Sequence, residues 1–349
     1  MTNKSITILS SRGRGISADL SYMRTHLMRE NDMSHVSFRS FSKNERTDND
    51  LVNQGVTKMR RQFCENAAHI ICVDASLSGK ANAEGQRLLL ASPYDYQFKN
   101  VMRAQKGERR IGTLRKFSHI IAGSPFTEKL LRDRYRLDGT EVIPHVALPL
   151  AWEVCRREPG EHMREKAALY FPEVKEKRVL YLLMAKMEDG GRQPFFGELS
   201  LRDFLDGLGD GWMVFTNSEA FMEAACALPE RYRTSFAYIH QRMQVHELLY
   251  ITDVLVTNNG RMAAAFAGRG KPVYCPLCHN SSFEQYMRAH YRELCIANAK
   301  ELALKPLGEG EISEQGRDFC RTFYYDGAEN PYETAAGIFG LIPRKARTS

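Results

Sequence analysis

Residues 245–275 read VHELLYITDVLVTNNGRMAAAFAGRGKPVYC, and the reading of this stretch decides the fold class. A short helical pattern, 245–250, leads into an apolar strand run at 253–257 (DVLVT). Asn258-Asn259-Gly260 then turns the chain into a small-residue helix over 261–268, and 271–274 begins another strand. Strands separated by helices are parallel neighbours, because a parallel pair needs a crossover connection. The run Ala263-Ala264-Ala265 lets such a helix lie close to its sheet. The turn aims backbone N–H groups from a helix N-terminus, an arrangement that suits a diphosphate. Asn258 and Asn259 accept left-handed backbone or donate to phosphate oxygens, and Arg261 adds charge. The following Gly270-Lys271-Pro272-Val273 would serve a sugar nucleotide equally well. The plainer reading is an ordinary turn of any doubly wound fold.

The same alternation extends outward in both directions. Upstream, 178–184 (RVLYLLM) and 212–216 (WMVFT) read as strands, with a Gly-rich loop at 189–191 and a helix near 198–207. Residues 218–227 read as a helix and 236–239 as a strand. In the first half, strand runs fall at 6–9 (ITIL), 36–41, 69–73 (HIICV), 86–91 (QRLLLA) and 118–122 (SHIIA), with a last strand starting at 141–143. Helices are expected over 17–29, 50–67 and 127–135. Short apolar strands alternating with helices describe a sheet covered on both faces. Between the halves, 152–177 is charged and carries Pro159-Gly160 and Pro172, which reads as a linker. The expected organisation is therefore an N-terminal domain over 1–150, a linker over 151–177, a second domain over 178–325, and a C-terminal helix and tail over 326–349. Each half is Rossmann-like, and a cleft is expected between them.

Composition agrees with this architecture. A chain of 349 residues predicts two domains at roughly 150 residues each. Hydrophobic residues make up 43% and charged residues 26%, which excludes disordered and collagen-like classes. No apolar run reaches the ~18–20 residues of a membrane span. The N-terminus leads straight into a strand run without a signal-peptide core, so a cytoplasmic protein is expected. Lys and Arg number 49 against 42 Asp and Glu, a formal net charge of +7 that favours an anionic ligand or surface over a dedicated nucleic-acid role. Clusters at Lys58, Arg60 and Arg61, and at Arg103, Lys106, Arg109, Arg110, Arg115 and Lys116, would suit an anionic membrane surface, peripherally bound, or simply form solvated faces. The eight cysteines are scattered, unlike a disulfide scaffold. Cys275-Pro-Leu-Cys278-His279 lacks a second ligand pair, so buried thiols are expected there and no metal centre.

Ligands of open parallel sheets bind beyond the carboxyl ends of the strands. Two loops fit that position. Ser10-Ser11-Arg12-Gly13-Arg14-Gly15 follows the first strand and would let backbone and guanidinium approach a ligand. It is not a dinucleotide fingerprint. The Asn258-Asn259-Gly260-Arg261 turn is the second.

At motif level, and over nearly the whole length, the chain resembles the CDP-glycerol glycerophosphotransferases of teichoic-acid and capsule synthesis. SRGRGISADLSYM is similar to that family's first strand, loop and helix, and FCENAAHIICVDASL to the segment before its acceptor motif. FSHIIAGSPFTEKLLRDRY resembles its "iiapSpy" element, and KRVLYLLMAKMEDG stands where the family has "LYaPTwR". ITDVLVTNNGRMAAAFAGRGKPVYC takes the place of "sDiLItDYSS…kPi", and FYYDGAENPYE resembles the closing segment. The resemblance implies a GT-B fold, with acceptor on the N-terminal domain and nucleotide-diphosphate donor on the C-terminal one. It also implies work at the inner membrane face. The donor, CDP- or UDP-linked, would be a substrate; no cofactor and no metal are expected.

The chain departs from that family at its chemistry. The acceptor His-Gly motif should fall before Phe98-Lys99, where Ser92-Pro93-Tyr94-Asp95 stands instead. Asp-Tyr-Ser-Ser becomes Thr257-Asn258-Asn259-Gly260, and the Arg of "PTwR" is matched only by Lys186. A general base for an acceptor hydroxyl needs a carboxylate or imidazole, so Asp95 and His145 are the catalytic candidates. Their plainer readings are a turn-forming Asp and a packing His. Donor phosphates would meet Gly13, Arg14, Gly15, Lys186, His240, Asn258, Asn259, Gly260 and Arg261. The function expected is transfer of a glycerol-phosphate, related polyol-phosphate or sugar to a hydroxyl acceptor, a glycan or polyol-phosphate. The alternative is a catalytically inactive GT-B module that binds a nucleotide, glycan or protein partner.

Overall fold

The computed structural model describes residues 4–10, 18–34, 36–42, 58–59, 62, 67–72, 86–90, 117–135, 143–146, 160–184, 195, 199–217, 226, 228–239, 243, 245–277, 282–305, 307, 312–323 and 330–343. The chain forms two compact units: Met1–Val154 with Thr322–Ser349, and Cys155–Arg321.

The first unit is built on a six-stranded sheet of β1 (Lys4–Ser10), β2 (Val36–Ser42), β3 (His69–Cys72), β4 (Arg87–Leu90), β5 (His119–Ala122) and β6 (Ile143–Val146). Its order is β2-β1-β3-β4-β5-β6, and every pairing is parallel. Alternate residues Ile6, Ile71, Leu89 and Ile121 form one core layer. Met23 and Leu27 of the helix Ala18–Glu30 pack on that layer. So do Tyr332, Ala335, Ile338 and Phe339 of the helix Pro331–Phe339. The last helix of the chain therefore completes the core of the first unit. Its start is capped by Asn330, whose side chain accepts from the Tyr332 and Glu333 amides, with Pro331 in the first turn. Gly340 ends it at φ 58, the left-handed position that glycine takes without a Cβ penalty. Arg87 Nη1 donates to the Ile338 carbonyl, tying that end to β4.

The second unit carries β7 (Arg178–Leu183), β8 (Trp212–Thr216), β9 (Phe236–Tyr238), β10 (Val254–Thr257), β11 (Val273–Pro276) and β12 (Cys295–Ile296). The order β12-β11-β10-β7-β8-β9 is the Rossmann strand order, again wholly parallel. Leu180, Leu182, Val214, Val254, Val256 and Ile296 share a core with Phe195, Phe204 and Leu302. The helix Leu201–Leu208 supplies Phe204 and is capped by Ser200, whose Oγ accepts from the Asp203 amide at 3.0 Å. Two further helices, Ser282–His290 and Ala299–Ala303, flank β12.

The described part of the expected linker, residues 160–177, belongs to the second unit. Residues 160–175 form the helix Gly160–Ala168 and a 3-10 turn, Pro172–Lys175, within the second unit. Arg164 explains why they fold in. Its guanidinium donates to the carbonyls of Val174, Lys177 and Ile251 and to the Asp253 carboxylate. Lys166 meets the buried Glu247 at 2.5 Å.

Candidate functional site

In a doubly wound sheet the ligand crevice opens where the strand order reverses, outside the carboxyl ends. In the second sheet that point lies between β7 and β10, since β8 and β9 extend one way and β10 to β12 the other. Leu183 and Thr257 stand opposite each other there, at the last rung of the ladder. The chain beyond Thr257 is the Asn258-Asn259-Gly260 turn, and the chain beyond Leu183 leads to Lys186. The carboxyl ends of two strands distant in sequence thus lie side by side.

The turn is organised by its own side chains. The Thr257 hydroxyl, fully buried, accepts from the Asn259 amide at 3.0 Å. Asn259 Oδ1 accepts from the Met262 amide at 3.4 Å, and its carbonyl accepts from the Ala263 amide at 2.9 Å. Asn259 is therefore the N-cap of the helix Gly260–Ala267, a role the expectation of direct phosphate donation did not include. The two amides between these bonds, of Gly260 and Arg261, are the donors this terminus can offer an anion. Ala263, Ala264, Ala265 and Phe266 are all at most 1% exposed, so the small-residue face packs closely as expected. Arg261 opens this helix; its side chain, together with Lys186 and His240, lies outside the described residues.

Asn217, which sequence reasoning passed over, stands at the same end of the sheet. Its Oδ1 accepts from the Met184 amide and its Nδ2 donates to the Met184 carbonyl, each at 3.1 Å. A polar residue directly after the apolar run WMVFT was the available signal.

Lys271 belongs to the other end. Its Nζ donates to the Thr252 carbonyl at 2.8 Å and meets Asp253 Oδ1 at 3.0 Å, just before β11 and β10 begin. Asp253 also accepts from the Val179 amide at 2.9 Å. Burial pushes the Asp253 carboxyl up, but Lys271, the Val179 N–H and Arg164 outweigh it and hold it below its ordinary value. Burial lowers Lys271 despite the pull of Asp253. This knot fastens the amino ends of β7, β10 and β11, so the Gly270-Lys271-Pro272 stretch braces the sheet at the end opposite the crevice.

In the first sheet the order reverses between β1 and β3. The 10–15 loop leaves β1 at that point, although Gly13, Arg14 and Gly15 lie outside the described residues, as does Asp95. His145 is half-buried on the edge strand β6, level with Ile121. Its Nε2 is 2.9 Å from His119 Nδ1, one ring N–H donating to the bare nitrogen of the other. Burial first, then His145, Arg87 and His69, bring His119 from 6.5 down to about 4. The "SPF" element also has a structural role. Ser124 Oγ accepts from the Thr127 amide at 3.1 Å and donates to the Thr322 carbonyl at 2.6 Å, joining the start of the helix Pro125–Tyr135 to the returning chain.

Of the cysteines, Cys275 and Cys295 are buried opposite each other on β11 and β12. Burial pushes the Cys295 thiol up to about 11, as expected of a packing thiol; Cys278 and His279 lie outside the described residues. No helix among the described residues is long and apolar enough to cross a membrane.

No family model and no curated protein matches the chain in sequence. Solved structures do match in fold. The wall teichoic acid polymerase TagF superposes with a TM-score of 0.71 at 13% identity, covering 97% of this chain and 89% of that one. A TagF variant soaked with CDPG superposes at 0.66 and 11% identity, covering 97% and 88%. The GT-B fold class expected from the sequence, with two Rossmann-like parallel sheets, is the one the chain adopts.

Proposed function

We propose that the chain is a GT-B-type transferase. It moves a glycerol-phosphate, a related polyol-phosphate or a sugar from a nucleotide-diphosphate donor to the hydroxyl of a glycan or polyol-phosphate acceptor. The second unit holds the donor and the first the acceptor. The observation that carries this reading is the β7/β10 switch point, where the N-terminus of the helix Gly260–Ala267 opens behind its Thr257 and Asn259 caps.

The chemistry follows from that terminus. The acceptor oxygen attacks the transferred group, the bond to the nucleotide phosphate breaks, and the leaving nucleotide takes up the developing negative charge. Amides of Gly260 and Arg261, the helix dipole, Arg261 and Lys186 would stabilise that charge. His240 and Asn258 would contact the donor from the flanking loops, and Gly13, Arg14 and Gly15 would approach the donor phosphates from the loop after β1. The acceptor proton passes to a general base, for which Asp95 and His145 are the candidates. His145 pairs with a His119 that burial keeps neutral at neutral pH. CDPG, soaked into a TagF variant, makes a CDP-linked donor the first to try, with UDP-linked donors second. The basic clusters at 58–61 and 103–116 would place the protein peripherally on an anionic membrane face in the cytoplasm.

The second reading, a catalytically inactive GT-B module that binds a nucleotide, glycan or protein partner, is favoured by Ser92-Pro93-Tyr94-Asp95 standing where the resembled family has His-Gly. Thermal-shift titrations with CDP, UDP, GDP and ADP test both. Stabilisation by at least one nucleotide is expected, and none by any of the four overturns the transferase and a nucleotide-binding module alike. Binding with no donor hydrolysis or transfer overturns the transferase alone.

A further inference from the structure

We propose that Asn217 is a positioning residue of the nucleotide site, acting through the backbone of Met184; the inference rests on the nucleotide-donor reading above. Asn217 lies one residue past β8 and Met184 one residue past β7. The β7/β8 ladder ends at the pair Leu182 and Thr216, where the Thr216 hydroxyl still donates to the Leu182 carbonyl at 3.3 Å. Beyond that rung the carboxamide of Asn217 takes over from a backbone strand. Its oxygen and nitrogen satisfy both the N–H and the C=O of Met184 at 3.1 Å each.

A side chain in this place does what a further strand residue would not. It holds Met184 as a neighbouring strand would, while the main chain of residue 217 is free to leave in another direction. The Met184 side chain is anchored as well, only 6% exposed in the core beside Leu182 and Phe195. The departure point of the chain from β7 is thus fixed at both backbone and side chain. That point is one residue past Leu183, the partner of Thr257 across the crevice. Lys186 follows it by two residues. Asn217 therefore sets where the β7 side of the crevice stands relative to the helix terminus that receives the diphosphate. It touches no phosphate itself.

The experiment compares the wild-type chain with Asn217→Ala and Asn217→Asp, using CDP and UDP as calorimetric probes. The Asp variant keeps the acceptor of the Met184 amide but sets a carboxylate oxygen against the Met184 carbonyl, which repels it. Thr252→Val, which removes a buried hydroxyl bond to Leu248 away from the crevice, serves as a control of comparable structural cost. Amide exchange at Met184 is read in parallel, so that the latch is observed without any ligand. Expected are roughly tenfold weaker nucleotide binding and faster Met184 exchange in Asn217→Ala, at least as large a loss in Asn217→Asp, and wild-type affinity in Thr252→Val. Unchanged affinity in Asn217→Ala, unchanged Met184 exchange, or an equal loss of affinity in Thr252→Val overturns the inference and leaves the nucleotide reading standing. Should Asn217→Ala not fold, Asn217→Asp against Thr252→Val decides the same question. Absence of nucleotide binding by the wild-type chain overturns the donor reading, and the inference with it.

Discussion

His119 and His145, on neighbouring strands of the first sheet, face each other with ring nitrogens 2.9 Å apart. Burial, His145, Arg87 and His69 together hold His119 at about 4, below its ordinary 6.5. A histidine with a lowered folded value binds a proton more readily in the unfolded chain. Its contribution to stability is complete above about 6.5 and is lost as pH falls toward 4. Chemical denaturation between pH 7 and pH 4 should show a falling midpoint, and His119→Asn should flatten that slope. An unchanged slope in the variant would show that other groups govern the acid limb.

Asp253 gives acid sensitivity of a different origin. Its folded value is lowered, so its contribution is present above the ordinary carboxylate range and lost as pH drops through the lowered one. Asp253→Ala leaves Lys271, Arg164 and the Val179 amide without their common acceptor, and should cost about 3 kcal/mol of stability in the second unit. Urea unfolding followed by tryptophan fluorescence at Trp212, the first residue of β8, would report it. A cost under about 0.5 kcal/mol would place the pair among exposed ion pairs.

Phe339 tests the return of the chain into the first unit. It is 1% exposed, stacks on His69 at 4.9 Å, and belongs to the core layer formed with Ile6 and Ile71. Phe339→Ala should destabilise by about 3–4 kcal/mol. Loss of the protected amides of β1 and β3 in hydrogen exchange, rather than those of β7 and β10, would confirm which unit the last helix serves.

The strands were legible and the long-range economy of the chain was not. Apolar runs such as ITIL, HIIC, RVLYLL and DVLVT name their strands because a buried parallel strand is apolar on both faces. Cys295–Ile296 is a strand of two residues, too short for any periodicity, and it went unread. The role of 160–175 was hidden for another reason. Its charges look like a solvated linker, yet Arg164 and Lys166 are spent on Asp253 and Glu247 about eighty residues away. The same holds at the site. The NNGR turn was visible as a pattern, while the capping of the helix by Thr257 and Asn259 depends on bond geometry. Lys271 looked like part of the donor motif and proved to be a brace at the opposite strand ends.

Capping by Asn259 carries its own expectation. Asn259→Ala removes the acceptor of the Met262 amide and should cost about 1 kcal/mol, while Asn259→Ser should retain most of it. If the terminus binds diphosphate, the Ala variant should also bind nucleotide more weakly than the Ser variant. Equal thermal midpoints for wild type and Asn259→Ala would remove the cap from the account.

The placement of a diphosphate at the β7/β10 switch point is tested most directly by a structure of the chain with bound CDP or UDP. The phosphates should lie within hydrogen-bond distance of the Gly260 and Arg261 amides, between the chain leaving Leu183 and the chain leaving Thr257. A nucleotide bound elsewhere, or phosphates facing away from the helix Gly260–Ala267, would contradict it.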